Sequence, residues 1–283
     1  MRLGRRMFRN TPVQRVPLVN SIYRRLSETA YGDTGTVVIA FRGIQIEVAA
    51  GDITTLPSLA DGTYESDELD SFLASVRKGT VVVDIGANIG IWSVLMSKAV
   101  GPGGTVLAFE PSPNNAALLR ANLERNDCMN VQVVEAAVGR TSGIGHLNTA
   151  SPGATHQITA EPVDGSVDVS VVSLDGFLAD RGLPEVAAIK IDVEGYEPEA
   201  IAGMAGVLET RPLFLAEFSM PQSEVAGTNW NAAISHLGAV YDGCLVFDGR
   251  TPTWVRSAEL HDLTSSRKLL NLLFGVKQHA NRG

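Results

Sequence analysis

Residues 80–90, Thr-Val-Val-Val-Asp-Ile-Gly-Ala-Asn-Ile-Gly, constrain the fold more than any other stretch of the chain. The apolar run Val81-Val82-Val83 reads as a buried strand that leads into Asp84, Gly86, Asn88 and Gly90. A helical pattern carrying Ile91, Trp92, Val94 and Leu95 follows at once. Gly86 and Gly90 would let a ligand approach the backbone where a side chain would block it. The turn opens at a helix N-terminus, whose free N–H groups and dipole favour an anionic group such as a carboxylate. A second strand-like run, Thr105–Phe109, ends in Glu110, placed to accept two hydrogen bonds from a ribose diol. Together these features imply a nucleoside cofactor.

The dinucleotide fingerprint is G-x-G-x-x-G, whereas this chain has Asp-x-Gly-x-Asn-x-Gly and lacks the third glycine. An acidic residue at the mouth of the loop repels a diphosphate and suits a cofactor bearing an amino group and a sulfonium cation. That describes S-adenosylmethionine, and the pattern resembles the first motif of the class I methyltransferases. A glycine turn that merely joins strand to helix would explain the glycines, but not Asp84 and Glu110 together.

Composition narrows the classes further. With 283 residues, 45% of them apolar, the chain can bury a large core. No uninterrupted apolar run approaches the ~20 residues of a membrane span. The basic N-terminus lacks the apolar segment of a secretory signal. Cys128 and Cys244 are the only cysteines, without a metal-binding spacing. A reduced, cytoplasmic protein is expected. The first 25 residues carry seven arginines and no acid, so of the net charge of −8 the remainder holds −15. An acidic body argues against extended nucleic-acid binding. Val16, Val19, Ile22, Tyr23 and Leu26 fall at helical spacing beside Arg15, Arg24 and Arg25. Such a segment could touch an anionic membrane surface, form a packing helix with a solvated charged face, or be a loose tail.

Thr36–Phe41 and Ile44–Val48 read as a hairpin joined by Arg42-Gly43, and Gly51 to Gly62 as a turn-rich link. An amphipathic helix follows Tyr64-Glu65. Strands at 80–84, 104–109, 131–138, 186–192, 212–218, 240–247 and 270–276 alternate with helices near 88–99, 113–126, 198–208 and 229–238. This alternation predicts an α/β fold with a mainly parallel, seven-stranded, Rossmann-like sheet and helices on both faces. An N-terminal helix and hairpin (1–62) elaborate the catalytic domain (63–283). Residues 139–170 break the rhythm with Gly, Ser and Thr and read as an insertion that forms a substrate lid or wall.

Over roughly residues 60–275 the chain resembles the FkbM family of S-adenosylmethionine-dependent O-methyltransferases, which share the class I fold. The resemblance rests on Tyr64-Glu65, Val83–Gly90 and Ala108-Phe109-Glu110-Pro111. Val172-Ser173-Leu174-Asp175, Ile189-Lys190-Ile191-Asp192-Val193-Glu194-Gly195 and Asn271–Phe274 carry the rest. It implies methyl transfer to a hydroxyl of a sugar or other natural-product acceptor, a small molecule or a glycan. RNA ribose 2′-O-methylation and a non-catalytic S-adenosylmethionine-binding domain are the competing readings.

Asp84 and the backbone of Gly86, Ala87, Asn88 and Gly90 are expected to hold the methionine end of the cofactor. Glu110, followed by Pro111, is expected at the ribose, and Glu135 or the backbone at Ala136-Ala137 beside the adenine. Tyr64 and Glu65 close over the methionine moiety or cap the following helix. For catalysis, an aliphatic hydroxyl needs a nearby base or metal. Asp192 and Glu194 at the end of one strand and Glu217 on its neighbour supply carboxylates, and Lys190 shares a strand face with Asp192. They serve either as general base or, with Asp192 and Glu217 as ligands, as an Mg²⁺ site. His156 lies where the family often carries a histidine and is a second candidate base.

Overall fold

The computed structural model describes residues 35–52, 54–148, 157–159, 162, 164–183, 185–264 and 269–276. The basic N-terminal segment and His156 lie outside the described residues. The chain begins with a hairpin of β1 (Thr36–Phe41) and β2 (Ile44–Ala49), followed by helices α1 (Thr55–Ala60) and α2 (Ser66–Leu73). The α/β core starts with β3 (Val81–Ile85), α3 (Ile91–Val100), β4 (Thr105–Phe109), α4 (Pro113–Arg125) and β5 (Val131–Val134). Next come β6 (Ala137–Val138) and, from the insertion, β7 (Gly143–Asn148), β8 (Gln157–Thr159) and β9 (Ser166–Val172), which runs just past it. The core resumes with α5 (Leu174–Arg181), β10 (Val186–Ile191), α6 (Glu197–Ala202), α7 (Ala205–Leu208), β11 (Leu213–Phe218) and α8 (Met220–Ala226). It ends with α9 (Trp230–Val240), β12 (Gly243–Phe247), β13 (Thr253–Arg256), α10 (Leu260–Thr264) and β14 (Leu270–Phe274). Among the described residues no helix is long and apolar enough to cross a membrane.

The main sheet has the order β13-β12-β14-β11-β10-β3-β4-β5, with eight strands rather than the expected seven. The extra strand is β13, four residues that add antiparallel to the outer edge of β12. The pairings from β5 through β11 are parallel, and those through β14, β12 and β13 are antiparallel. Period-two alternation sorts the strand residues onto two faces. Val83, Leu107, Phe109, Ile189 and Phe214 pack with α5, α6 and α9 on one side. Val82, Val106, Ala108, Ala188 and Leu215 pack with the hairpin and helices α1 to α4 on the other. The hairpin therefore belongs to the continuous core of the sheet.

Several predicted boundaries move for local physical reasons. The strand expected over 131–138 breaks at Glu135, because Ala136 N–H donates to the Val134 carbonyl in a tight turn. Its second half, β6, leaves the main sheet and pairs with β9 in a four-stranded sheet of order β6-β9-β7-β8. The turn-rich link holds helix α1, started by Asp52, whose Oδ1 accepts from the N–H groups of Thr54 and Thr55 at 2.8 and 2.7 Å. The helix expected over 198–208 is two, α6 and α7. Gly203 is where they part, since a Cβ there would lie 1.9 Å from the Gly139 carbonyl.

The hairpin is fastened by side chains that imitate a strand. Asn122 and, four residues on, the C-cap Asn126 lie on one side of α4. Asn122 accepts from Glu47 N–H at 2.7 Å and donates to the carbonyls of Glu47 and Ile89, each at 2.9 Å. Asn126 likewise accepts from Gln45 N–H at 2.9 Å and donates to the Gln45 carbonyl at 2.7 Å. The two amides thus satisfy the free edge of β2 and tie it to the loop after β3. Asn122→Ala removes a fully buried amide and leaves the Glu47 and Ile89 backbone groups without it, and a loss of about 2–4 kcal/mol in urea unfolding is expected.

Candidate active site

Beyond the carboxyl ends of β3, β4 and β10 lies a cleft of about 800 Å³, open solvent included. Its near wall is the loop between β3 and α3, where Gly86, Asn88 and Gly90 take φ of 74°, 49° and 93°. The glycines serve packing as well as access. A Cβ on Gly86 would lie 1.9 Å from the Asp192 carbonyl, and one on Gly90 2.4 Å from Leu119. The space first read as room for a ligand is thus partly filled by neighbouring protein.

Glu110 ends β4 and is buried. Its Oε2 accepts from Asn88 N–H at 2.8 Å and its Oε1 from Ser112 N–H at 2.9 Å. Burial raises its pKa, opposed by these hydrogen bonds. The carboxylate thereby fixes both the glycine loop and the start of α4 while lining the cleft with Gly86, Ala87, Asn88 and Pro111. Ala136, Ala137 and Val138 line it too. Glu135 does not: it turns outward to an ion pair with Arg120 at 2.7 Å.

Asp84 departs from expectation. It is completely buried and is not among the lining residues. Ser93 Oγ donates to its Oδ2 at 2.6 Å, and Lys190 Nζ stands 3.6 Å from its Oδ1. An apolar strand end on both sides of Asp84 leaves the neighbouring strand, rather than the cleft, to answer its charge. Tyr64 lines the cleft and packs edge-on against Phe41, with ring centroids 6.1 Å apart. Glu65 occupies the N-cap position of α2, but its side chain makes no capping hydrogen bond. It sits at φ 37°, accepts from Trp92 Nε1 at 2.6 Å, and is pushed up to about 7 by burial and by Asp192.

The far wall comes from β10 and the loop after it. Lys190, Asp192, Val193 and Glu194 all line the cleft. Lys190 Nζ donates to the Gly86 carbonyl at 3.1 Å and lies 3.8 Å from Asp192 Oδ2. Burial pulls this ammonium toward deprotonation, but Asp192, Asp84, Glu65 and Glu217 outweigh it and raise its pKa above the ordinary lysine value. Glu194 takes φ 55°, and its carboxylate accepts from Gln222 Nε2. Burial, then Asp192 and Glu197, push it up to about 8. Glu217 is raised well above its usual range, first by burial and then by Asp192.

The sequence reading did not single out Glu197. This buried residue opens α6 and turns back, accepting from Val193 N–H at 2.9 Å and from Gly195 N–H at 3.0 Å. Its signal was present as an acidic residue in a first helical turn beside Pro198. Oxygens of Asp192, Glu197 and Glu217 lie within 4.8 Å of one another. The donor set does not fit Mg²⁺, however: the Glu197 oxygens are engaged by backbone N–H groups, and the Lys190 ammonium already supplies positive charge beside Asp192. Of the other histidines, His146 pairs with Asp168 at 2.9 Å on the small sheet, away from the cleft.

With this geometry in place, comparison with known proteins is decisive. The model for the methyltransferase FkbM domain matches residues 84–241. The chain belongs to the FkbM methyltransferase family. It is 34% identical over 161 residues to the 31-O-demethyl-FK506 methyltransferase FkbM of Streptomyces tacrolimicus, a match covering 46% of this chain and 61% of that protein. It is 29% identical over 157 residues to the hexuronic acid methyltransferase AglP of Haloferax volcanii, covering 54% and 62% respectively. The matched part thus spans about three fifths of each relative's length. A crystal structure of methyltransferase FkbM from Methylobacillus flagellatus aligns with a TM-score of 0.44 at 15% identity, over 78% of this chain and 54% of that one. The fold is the Rossmann-like fold of the class I methyltransferases.

In this FkbM-family site, Glu65, Glu197 and Glu194 hold their protons to about pH 7, 7 and 8, against an ordinary value of 4.5. The folded protein therefore binds more protons than the unfolded chain between about pH 4.5 and 8, and stability falls as pH rises through that window. Lys190, raised above its ordinary 10.5, stays charged in both states there and leaves the slope unchanged. The urea midpoint is expected to be lower at pH 8.5 than at pH 6, with a smaller difference in Glu194→Gln.

Proposed function

We propose that the protein transfers the methyl group of S-adenosylmethionine to a hydroxyl of a sugar or other natural-product acceptor. The observation that carries this reading is a single cleft with an oriented Glu110 at one end and Asp192 and Glu194 at the other. The residues present fit the donor. Glu110 is held by two backbone N–H groups, and its remaining lone pairs suit a ribose diol. The backbone of Ala136 and Ala137 borders the adenine. The loop from Gly86 through Asn88, with Tyr64, takes the amino-acid end, and Asp84 acts behind it through Lys190 and Ser93.

When bound, the donor supplies an electrophilic methyl group on a sulfonium. The protein's own part is alignment and proton removal. Asp192, steadied by the Lys190 ammonium, stands beside the acceptor hydroxyl and by its charge adds to the proton affinity of Glu194. Glu194, with a basicity near 8, takes the proton. Val138 and Ile158 bring the insertion to the cleft as an acceptor wall. The crowding of carboxylates there favours an uncharged hydroxyl acceptor over a carboxylate-bearing sugar or an RNA backbone. The free, buried Cys128 and Cys244 suit a reducing cytoplasm.

Calorimetry with S-adenosylmethionine tests the donor assignment. Micromolar binding is expected, weakened by about 1–3 kcal/mol in Glu110→Ala through loss of charged hydrogen bonds. Unaltered affinity in that variant would remove the ribose role, and no binding to the parent protein would remove the reading itself. Once an acceptor is found, turnover is expected to rise with pH and level off above about 8, since a base works in its ionised form. Glu194→Gln should abolish that rise. Asp192→Asn should lower kcat about 100-fold while leaving donor affinity within a few-fold.

A further inference from the structure

We infer that Gln157 and Gln222 are positioning residues that fix Glu194 from two sides and tie the acceptor wall to the proton-accepting loop. The catalytic meaning rests on the proposed role of Glu194; the mechanical tie stands without it. Gln157 begins β8, on the insertion, and its Nε2 donates to the Glu194 carbonyl at 2.9 Å. Gln222 lies in the first turn of α8, and its Nε2 donates to the Glu194 carboxylate. The other clamps on this loop grip its neighbours. Glu197 holds the N–H groups of Val193 and Gly195, and Thr228 Oγ1 donates to the Gly195 carbonyl at 2.6 Å.

Two features say that these contacts do more than fill space. Glu194 sits at φ 55°, a left-handed conformation that a residue with a Cβ adopts only when its surroundings enforce it. The following Gly195, at φ 103°, lies so close to α8 that a Cβ would stand 2.5 Å from the Gln222 backbone. The loop is therefore pressed onto the helix that presents Gln222. In addition, Gln222 Oε1 is buried with no hydrogen-bond partner among the described residues. A side chain that orphans its carbonyl to aim its amide at Glu194 contributes orientation at some cost in stability.

The test is hydrogen exchange, read by mass spectrometry on the peptide covering residues 192–197 of the full chain. It compares the parent protein with Gln157→Ala, Gln222→Ala and Gln222→Met, which keeps side-chain length but cannot donate. About tenfold faster exchange in that peptide is expected in all three, as for loss of one hydrogen bond, with donor affinity by calorimetry unchanged. With an acceptor in hand, kcat should fall about tenfold while KM for the donor holds. Parent-like exchange in both alanine variants would overturn the tie, and parent-like behaviour of Gln222→Met would reduce Gln222 to packing. Failure of the parent protein to bind S-adenosylmethionine would instead strike the proposed reaction and leave the exchange result to decide the tie.

Discussion

The buried ammonium of Lys190 is the interaction on which the site depends. Lys190 and Asp84 stand opposite each other in the register of β10 and β3, so one cation meets the first motif of the cofactor loop at the centre of the sheet. From there its Nζ reaches the Gly86 carbonyl and faces Asp192. A lone carboxylate as deeply buried as Asp84 would be expensive. So would Asp192 and Glu194, which line the cleft, with Glu217 near them. Lys190 offsets part of both costs, and it joins the glycine loop to the loop after β10 by charge where the chain joins them by no covalent path shorter than 100 residues.

Strain gathers at the same place. Of the described non-glycine residues with positive φ, three are Glu65, Asn88 and Glu194, and each belongs to a loop bordering the cleft. Each is held by a specific partner: Glu65 by Trp92, Asn88 by Glu110, Glu194 by its two glutamines. Backbone held in a sparsely populated region costs of order 1–3 kcal/mol per residue. It persists because the loops are over-determined by side chains that enter from α3, the end of β4, β8 and α8. The rigid strands set where the loops begin, and these polar contacts set where their functional groups end.

What could be read from the sequence follows from which of these contacts are local. The strand, glycine loop and helix at 80–100, and Glu110 after the next strand, are contiguous patterns with one dominant explanation, and they were readable. The same local reading put Asp84 in the cleft, because nothing near it in the chain reveals that a lysine about 100 positions on faces it across the sheet. Glu135 failed for a similar reason: a two-residue turn redirects the strand and swings its side chain toward Arg120. Glu197 carried only the weak signal of an acid in a first helical turn and Gln157 and Gln222 carried none, since all three bind groups of a loop that takes shape only when three elements meet.

The acidity of the site is the clearest sign that it was shaped by function. Core positions that serve stability alone are apolar, or polar and paired in full. Here several carboxylates crowd a cleft, raise one another's proton affinity, and are balanced by a single lysine. An apolar residue in place of Glu194 or Glu217 would remove a buried carboxyl facing Asp192, so stability alone does not call for an acid at either position, whereas Asp192 also answers the Lys190 ammonium. Such crowding suits the proposed transfer from a cationic methyl donor to a weakly acidic hydroxyl. In that reading the negative charge favours the sulfonium, and burial, reinforced by repulsion from Asp192, makes Glu194 basic enough to act near neutral pH. The fold contributes the place at the strand ends, but the chemistry comes from holding charges together that would otherwise separate.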